Sequence, residues 1–127
     1  MKEFINKVAE FHNAFGITNS EDFTVSDKAT QDLRFDLILE ETMEYKEACA
    51  ANNMVGIADA LGDQLYIVYG TILKHGLQDK IEEIFNEIHR SNMSKLGEDG
   101  KPIYREDGKV LKGPGYTRPD IASIIKK

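Results

Sequence analysis

Leu37-Ile38-Leu39-Glu40-Glu41-Thr42-Met43-Glu44 packs three carboxylates into five residues of an otherwise apolar segment. Leu33 and Leu37 set an apolar stripe. Steps of three and four along it lead to Glu40 and Glu41, then Glu44, then Ala48. The spacing predicts a helix from about Ser26-Asp27 to Ala50, with its glutamates turned inward. Thr24, Ser26 and Asp27 are the candidate capping groups. Ile38, Leu39 and Met43 make the helix apolar on a second side, as expected for burial among several neighbours or in a dimer interface.

A break at Ala50-Ala51-Asn52-Asn53 precedes a third helix, from about Met54 to His75, with Ile57, Leu61, Leu65, Val68 and Ile72 as its expected core stripe. Asp59 and Asp63 are four apart and share one face, where they repel each other unless a counter-ion is present. If the two helices pack together, five carboxylates face one another. Such a cluster is costly without a positive charge inside it. A divalent metal is the expected occupant. Hard oxygen donors with no Cys or His beside them favour Mg²⁺, with Mn²⁺ able to substitute. A di-iron Glu-x-x-His pattern is excluded, because Ala9, Ile72 and Asn86 stand three before His12, His75 and His89.

Working outward, residues 3–15 read as a first helix with Phe4, Ile5, Val8, Phe11, His12 and Phe15 on its apolar face and Gly16 as its stop. On that face His12 is expected as a satisfied core or pocket residue rather than a ligand. Ile17 to Ser26 reads as a polar loop. A fourth helix, about Gln78 to Met93, carries Ile81, Ile84, Phe85 and Ile88. The tail then changes character. Glu98-Asp99-Gly100-Lys101 and Glu106-Asp107-Gly108-Lys109 repeat at a spacing of eight, and Ile103-Tyr104 and Val110-Leu111 suit a small hairpin. Pro119 opens a short final helix, and Lys126 and Lys127 read as solvated ends.

The chain has 127 residues, 41% hydrophobic and 30% charged, which suits one globular domain over 1–127. Within it, 1–93 reads as a helical core and 94–127 as a basic tail. Net charge is −6, which argues against a nucleic acid polymer as partner. The charge is uneven. From Arg90 onward nine bases face five acids, leaving seven bases and seventeen acids before it. No apolar run reaches the ~18 residues that span a bilayer, so no membrane partner is expected. The first residues lack a signal-peptide h-region, and Cys49 is the only cysteine, so a reducing cytoplasm is the expected location.

Leu37 to Glu44 followed by Ala58-Asp59-Ala60-Leu61-Gly62-Asp63 resembles the all-α nucleoside triphosphate pyrophosphohydrolases of the MazG-like kind. That superfamily includes dimeric dUTPases and phosphoribosyl-ATP pyrophosphohydrolase. The likeness to a bacterial and phage subgroup extends over nearly the whole chain: Glu10-Phe11-His12, Tyr66 to Gly70, His89 to Lys95, and Asp107 to Lys112 ahead of Tyr116, Arg118 and Pro119. It implies a four- to five-helix all-α bundle with a short hairpin tail, assembled as a homodimer or a dimer of dimers. It further implies cleavage of a nucleoside triphosphate between the α- and β-phosphates. Glu41, Glu44 and Asp63 would be the metal ligands. Glu40 would hold a further metal or act as general base. Lys95, Lys109 and Lys112, with Asn92, Tyr116 and Arg118, would close over the phosphates. His12 and Phe15 would be candidates for the base pocket, and Tyr66 would contact substrate.

One departure from the family pattern stands out. The usual second motif is Glu-x-x-Asp, but Ala60 lies three before Asp63 and the available carboxylate is Asp59, four before. The leading expectation is Mg²⁺-dependent hydrolysis of a dNTP such as dUTP or dCTP. Phosphoribosyl-ATP is the alternative substrate within the fold. A non-catalytic helical dimer that binds nucleotide or metal is a rival, and so is an acidic interaction module whose Glu40, Glu41 and Glu44 all face solvent.

Overall fold

In the computed structural model, which describes residues 1–126, the polar loop ends where Asp27 accepts the Thr30 amide at 2.8 Å. That contact caps helix α2, Lys28–Ala50. Lys127, expected as a solvated end, lies outside the described residues. Helix α1, Lys2–Ala14, precedes the loop, and Gly16 follows it at φ +69°. Helix α3, Met54–Lys74, begins after Asn53, whose side chain accepts the Gly56 amide at 3.0 Å. Helix α4, Ile81–Met93, is followed by the antiparallel strands β1, Ile103–Tyr104, and β2, Val110–Leu111. Helix α5, Ile121–Ile125, closes the order, with Asp120 as its cap in place of the expected start at Pro119. The all-α expectation holds. Among the described residues no helix is long and apolar enough to cross a membrane.

The chain divides into two compact units, Met1–Asp79 and Lys80 onward. The division falls before α4, which groups with the tail. Within the second unit Ile84 of α4 and Ile124 of α5 are buried, and Ser91 Oγ donates to the Thr117 carbonyl at 2.9 Å. The two Asp-Gly segments make equivalent turns. Asp99 and Asp107 accept the amides of Lys101 and Lys109 at 3.0 and 3.1 Å, with Gly100 and Gly108 at positive φ. Aspartate side chains that mimic a backbone turn and glycines free of a Cβ explain the octad repeat.

In the first unit α2 and α3 pack as an antiparallel pair, and α1 lies against α3. The core comprises Ile5 and Val8 of α1 and Ala60, Ile72 and Leu73 of α3. The expected core stripes are corrected here. Leu33 on α2 and Leu61, Leu65 and Val68 on α3 are exposed. On α2 the residue that turns inward beside Leu33 is Arg34, only 8% exposed. Its Nε donates to Thr71 Oγ1 at 3.0 Å and its Nη2 to the Ile67 carbonyl at 2.8 Å. Beside Ile72 and Leu73, the buried positions of α3 include the small residues Ala60 and Gly70, which admit close approach. A Cβ on Gly70 would stand 2.6 Å from Arg34 Nη2 and 3.0 Å from His12 Nε2.

That strut sets the site. Arg34 lies two helical turns before Glu41, and its partner Ile67 lies one turn after Asp63. In an antiparallel pair both offsets run the same way, so anchoring Arg34 on Ile67 brings Glu41 alongside Asp63. Gln64 Nε2 donating to Thr42 Oγ1 at 3.3 Å is a second tie at the same level.

Candidate active site

Glu41 and Glu44 of α2 and Asp63 of α3 each offer a carboxylate oxygen, all within 4.8 Å of one another. Glu44 is exposed, and Glu41 and Asp63 are half-buried. Glu41 Oε2 is cut off from solvent and has no hydrogen-bond partner. A desolvated, unpaired acceptor is expensive, and here its nearest neighbours are other acids. Desolvation first, then the Glu44 carboxyl, then the charges of Glu44, Asp63 and Glu40, push the Glu41 carboxyl up to about 7. Asp63 is also raised, by desolvation and then by Asp59 and Glu44. The cluster is thus a concentrated set of hard oxygen donors with one oxygen left over for a ligand.

Glu40 is exposed at the edge of this group, close enough for its charge to act on Glu41. Asp59 is exposed and acts on Asp63, but it stands outside the set of three. Ala60, where the usual motif carries glutamate, is 1% exposed in the core. His12 is buried, its Nδ1 2.6 Å from Asn19 Oδ1. Phe15 is exposed with its ring 4.5 Å from that of Phe11, and Tyr66 meets Phe11 edge-on at 5.7 Å.

The remaining expected substrate residues belong to the second unit. Lys95 follows α4 and its carbonyl accepts the Gly113 amide at 2.7 Å. Lys112 holds its ammonium 4.8 Å from the centre of the Tyr116 ring. Lys109 lies in the hairpin turn, Asn92 is exposed near the end of α4, and the Arg118 carbonyl accepts from Arg90 at 3.2 Å. Arg34 was not among the expected residues. Its one signal is a lone cation inside an apolar stripe.

Residues 8–92 match the phosphoribosyl-ATP pyrophosphohydrolase family and contain the whole three-carboxylate cluster. The chain belongs to this family. Over 126 residues it is 33% identical to an uncharacterized protein of Acanthamoeba polyphaga mimivirus, a match that covers 94% of this chain. The chain spans about half the length of that curated relative, 47%. A crystal structure of a candidate NTP pyrophosphohydrolase from Exiguobacterium sp. 255-15 shares the fold, with a TM-score of 0.50 and 24% identity over 94% of this chain and 90% of that one.

The raised carboxyls carry a stability prediction for this family member. A carboxyl whose folded pKa lies above its unfolded value stabilises the fold below the unfolded pKa, and that contribution is lost as pH rises through the folded pKa. For Glu41 the window runs from 4.5 to about 7. Asp27, Glu87, Asp107 and Asp120 are shifted downward by hydrogen bonds, so their contributions are lost as pH falls from about 4.5. In chelator, the melting temperature is expected to fall between pH 5 and pH 8. A flat or rising profile across that window would count against the desolvated carboxylate cluster.

Proposed function

We propose that this chain hydrolyses a nucleoside triphosphate, a dNTP such as dUTP or dCTP, to the monophosphate and pyrophosphate. It does so with Mg²⁺, or Mn²⁺ in its place, as a homodimer or dimer of dimers in the cytoplasm. The observation that carries this reading is the convergence of Glu41, Glu44 and Asp63, with an oxygen of Glu41 dry and unpartnered, in a chain of this family. The donors fit a hard divalent cation: they are all carboxylate oxygens, close together, and unstable without a positive charge among them. When bound, the metal supplies charge neutralisation and Lewis-acid polarisation of the phosphate oxygens.

The residues themselves divide the work. Glu41, Glu44 and Asp63 would hold the cation. Glu40, exposed beside them, is placed to take the proton from the attacking water. The water oxygen forms the new bond to phosphorus, the α–β anhydride bond breaks, and pyrophosphate leaves with that bond's electrons. Asp59, one turn before Asp63, would join the metal's outer hydration. Lys95, Lys109 and Lys112, with Asn92, Tyr116 and Arg118, would neutralise and orient the phosphate chain. Leu33, Phe35, Leu39 and Met43 of α2 and Leu61, Leu65 and Val68 of α3 are exposed. That much apolar surface on two neighbouring helices supports a second copy packing against them.

The acidic-module reading requires all three glutamates in solvent, and the dry oxygen of Glu41 speaks against it. The family's name favours phosphoribosyl-ATP as the second substrate to test. The protein would be incubated with Mg²⁺ and a panel of (d)NTPs and phosphoribosyl-ATP, and pyrophosphate measured. Release is expected from a pyrimidine dNTP and is expected to stop in chelator. Nucleotide binding without release from any member of the panel would favour the non-catalytic rival, for which Ala60 in place of glutamate is the supporting departure.

A further inference from the structure

Arg34 is the one residue of α2 that is buried, and its burial does not serve stability. Among the described residues it forms no ion pair, and desolvation pushes its pKa below the ordinary arginine value. A buried cation without a counter-charge weakens a fold, and an apolar side chain of similar volume in its place is often neutral or stabilising. A second cost falls on α3. A glycine in mid-helix is disfavoured against alanine, yet a Cβ on Gly70 would stand 2.6 Å from Arg34 Nη2. The partners of Arg34 do not need it. The Ile67 carbonyl also accepts the Thr71 hydroxyl at 2.8 Å, and it lies in mid-helix, where the amide four residues on serves it. An apolar residue at position 34 would therefore orphan no buried polar group.

Nor does its charge offset the acids directly. The charges that act on Glu41 are those of Glu44, Asp63 and Glu40, and on Asp63 those of Asp59 and Glu44. The role left to Arg34 is mechanical. Residues 51–53 join α2 to α3 and pin the pair at one end, where a Cβ on Gly56 would stand 3.0 Å from Ala48 Cβ. Moving away from that turn, Glu44, Glu41 and Asp63 come first, and Arg34 with Ile67 and Thr71 lies beyond them. The cluster thus sits between two fastenings. The tie at its own level, Gln64 to Thr42, is exposed and long at 3.3 Å, and restrains little. Mg²⁺ demands near-ideal octahedral geometry, so an opening of the helix pair by about an ångström would spoil a cation site shared across it.

We propose that Arg34 is a positioning residue for the cation site: it clamps α2 to α3 on the open side of Glu41, Glu44 and Asp63, and lowers stability in doing so. The proposal rests on the reading above that these three carboxylates share a divalent cation, and is independent of which triphosphate is cleaved. Gly70 belongs to the same device, because only a residue without a Cβ leaves the guanidinium room to reach the Ile67 carbonyl.

The test uses the full chain with Mg²⁺ alone as the probe, affinity measured by calorimetry and stability by melting in chelator. Arg34→Met removes the clamp and leaves a side chain of similar length. Gly70→Ala keeps the arginine but pushes its guanidinium away from Ile67. Each is expected to weaken Mg²⁺ binding about tenfold or more. Arg34→Met is also expected to melt no lower than the wild type in chelator, a separation that a support of the whole fold would not show. The double variant should lose no more affinity than Arg34→Met alone, because both changes act through one contact. Unchanged Mg²⁺ affinity in Arg34→Met would overturn the proposal. So would a lower melting temperature in chelator alongside the lost affinity, with failure to fold as its extreme. A wild type that takes up no Mg²⁺ would overturn the cation reading and the clamp together, whereas pyrophosphate release, measured separately, bears on the hydrolase reading alone.

Discussion

A chain carrying Glu41→Gln is expected to melt higher than the wild type in chelator at pH 8 and to lose turnover by on the order of 10²-fold or more. Both effects have one cause. At pH 8 the wild-type carboxylate is ionised, partly desolvated and crowded by Glu44, Asp63 and Glu40, with its Oε2 unpaired. Glutamine removes the charge and brings an amide that can donate to its acidic neighbours. Below pH 4.5 Glu41 is protonated in the folded and unfolded chains alike, so the advantage of glutamine should vanish there. Between pH 4.5 and about 7 it should grow as the folded-state carboxyl titrates. Added Mg²⁺ should then reverse the order. Only the wild type gains, by about 2.7 kcal/mol when metal is at a hundred times its dissociation constant. A Glu41→Gln protein no more stable than the wild type at pH 8 would mean that the carboxylate pays no desolvation cost. Preserved turnover would remove Glu41 from the cation's ligands. Stability given up at a site for the sake of binding is a common trade.

The acidic pair of helices was legible because carboxylates inside an apolar stripe have few innocent explanations, and the Asp-Gly turns because the backbone chemistry is local. Which side of each helix faces inward was not. Periodicity gives a repeat, but α2 is apolar on two sides, so Leu33 and Arg34 are equally compatible with it. The deciding interactions are long-range: Arg34 with Thr71 and Ile67, thirty-seven and thirty-three residues away. On α3 the expected Ile72 is buried, but so are Ala60 and Gly70, which score weakly as core because they are small, while the larger Leu61, Leu65 and Val68 are exposed. Hydrophobic size and burial part company wherever a close helix crossing meets apolar surface left uncovered. The stacking of Phe4 on Tyr69 was equally invisible, because it pairs residues from opposite ends of the first unit.

Gly76→Ala is expected to destabilise the first unit by on the order of 3 kcal/mol, and more than Gly16→Ala. Both glycines sit in the left-handed region, at φ +73° and +69°, so alanine is strained at either. At Gly16 a Cβ would meet nothing within 4 Å, whereas at Gly76 it would stand 2.1 Å from the Asp22 carbonyl oxygen. That contact joins two backbones and cannot be relieved by turning a side chain. The close approach has a purpose. A helix ends with carbonyls that lack intrahelical partners, and here the loop before α2 supplies them. Ser20 and Thr24 amides donate to Leu73 and His75 carbonyls, each at 3.1 Å, and Ser26 Oγ donates to Lys74 at 3.1 Å. Gln78 Nε2 returns a bond to the Ser20 carbonyl at 2.9 Å. Pushing the loop away at Gly76 would strip these partners together. Urea unfolding of the two variants at one protein concentration separates the terms: the Gly16→Ala loss measures the φ strain, and the excess in Gly76→Ala measures the docked loop. Equal losses would mean that the loop shifts freely. Because the loop docks at Leu73 to His75, about 15 Å along the axis of α3 from Asp63, the folded fraction of Gly76→Ala should keep its Mg²⁺-induced stabilisation. A failure confined to stability would identify the loop as scaffold, and a parallel loss of metal response would tie it to the carboxylate cluster through Arg34.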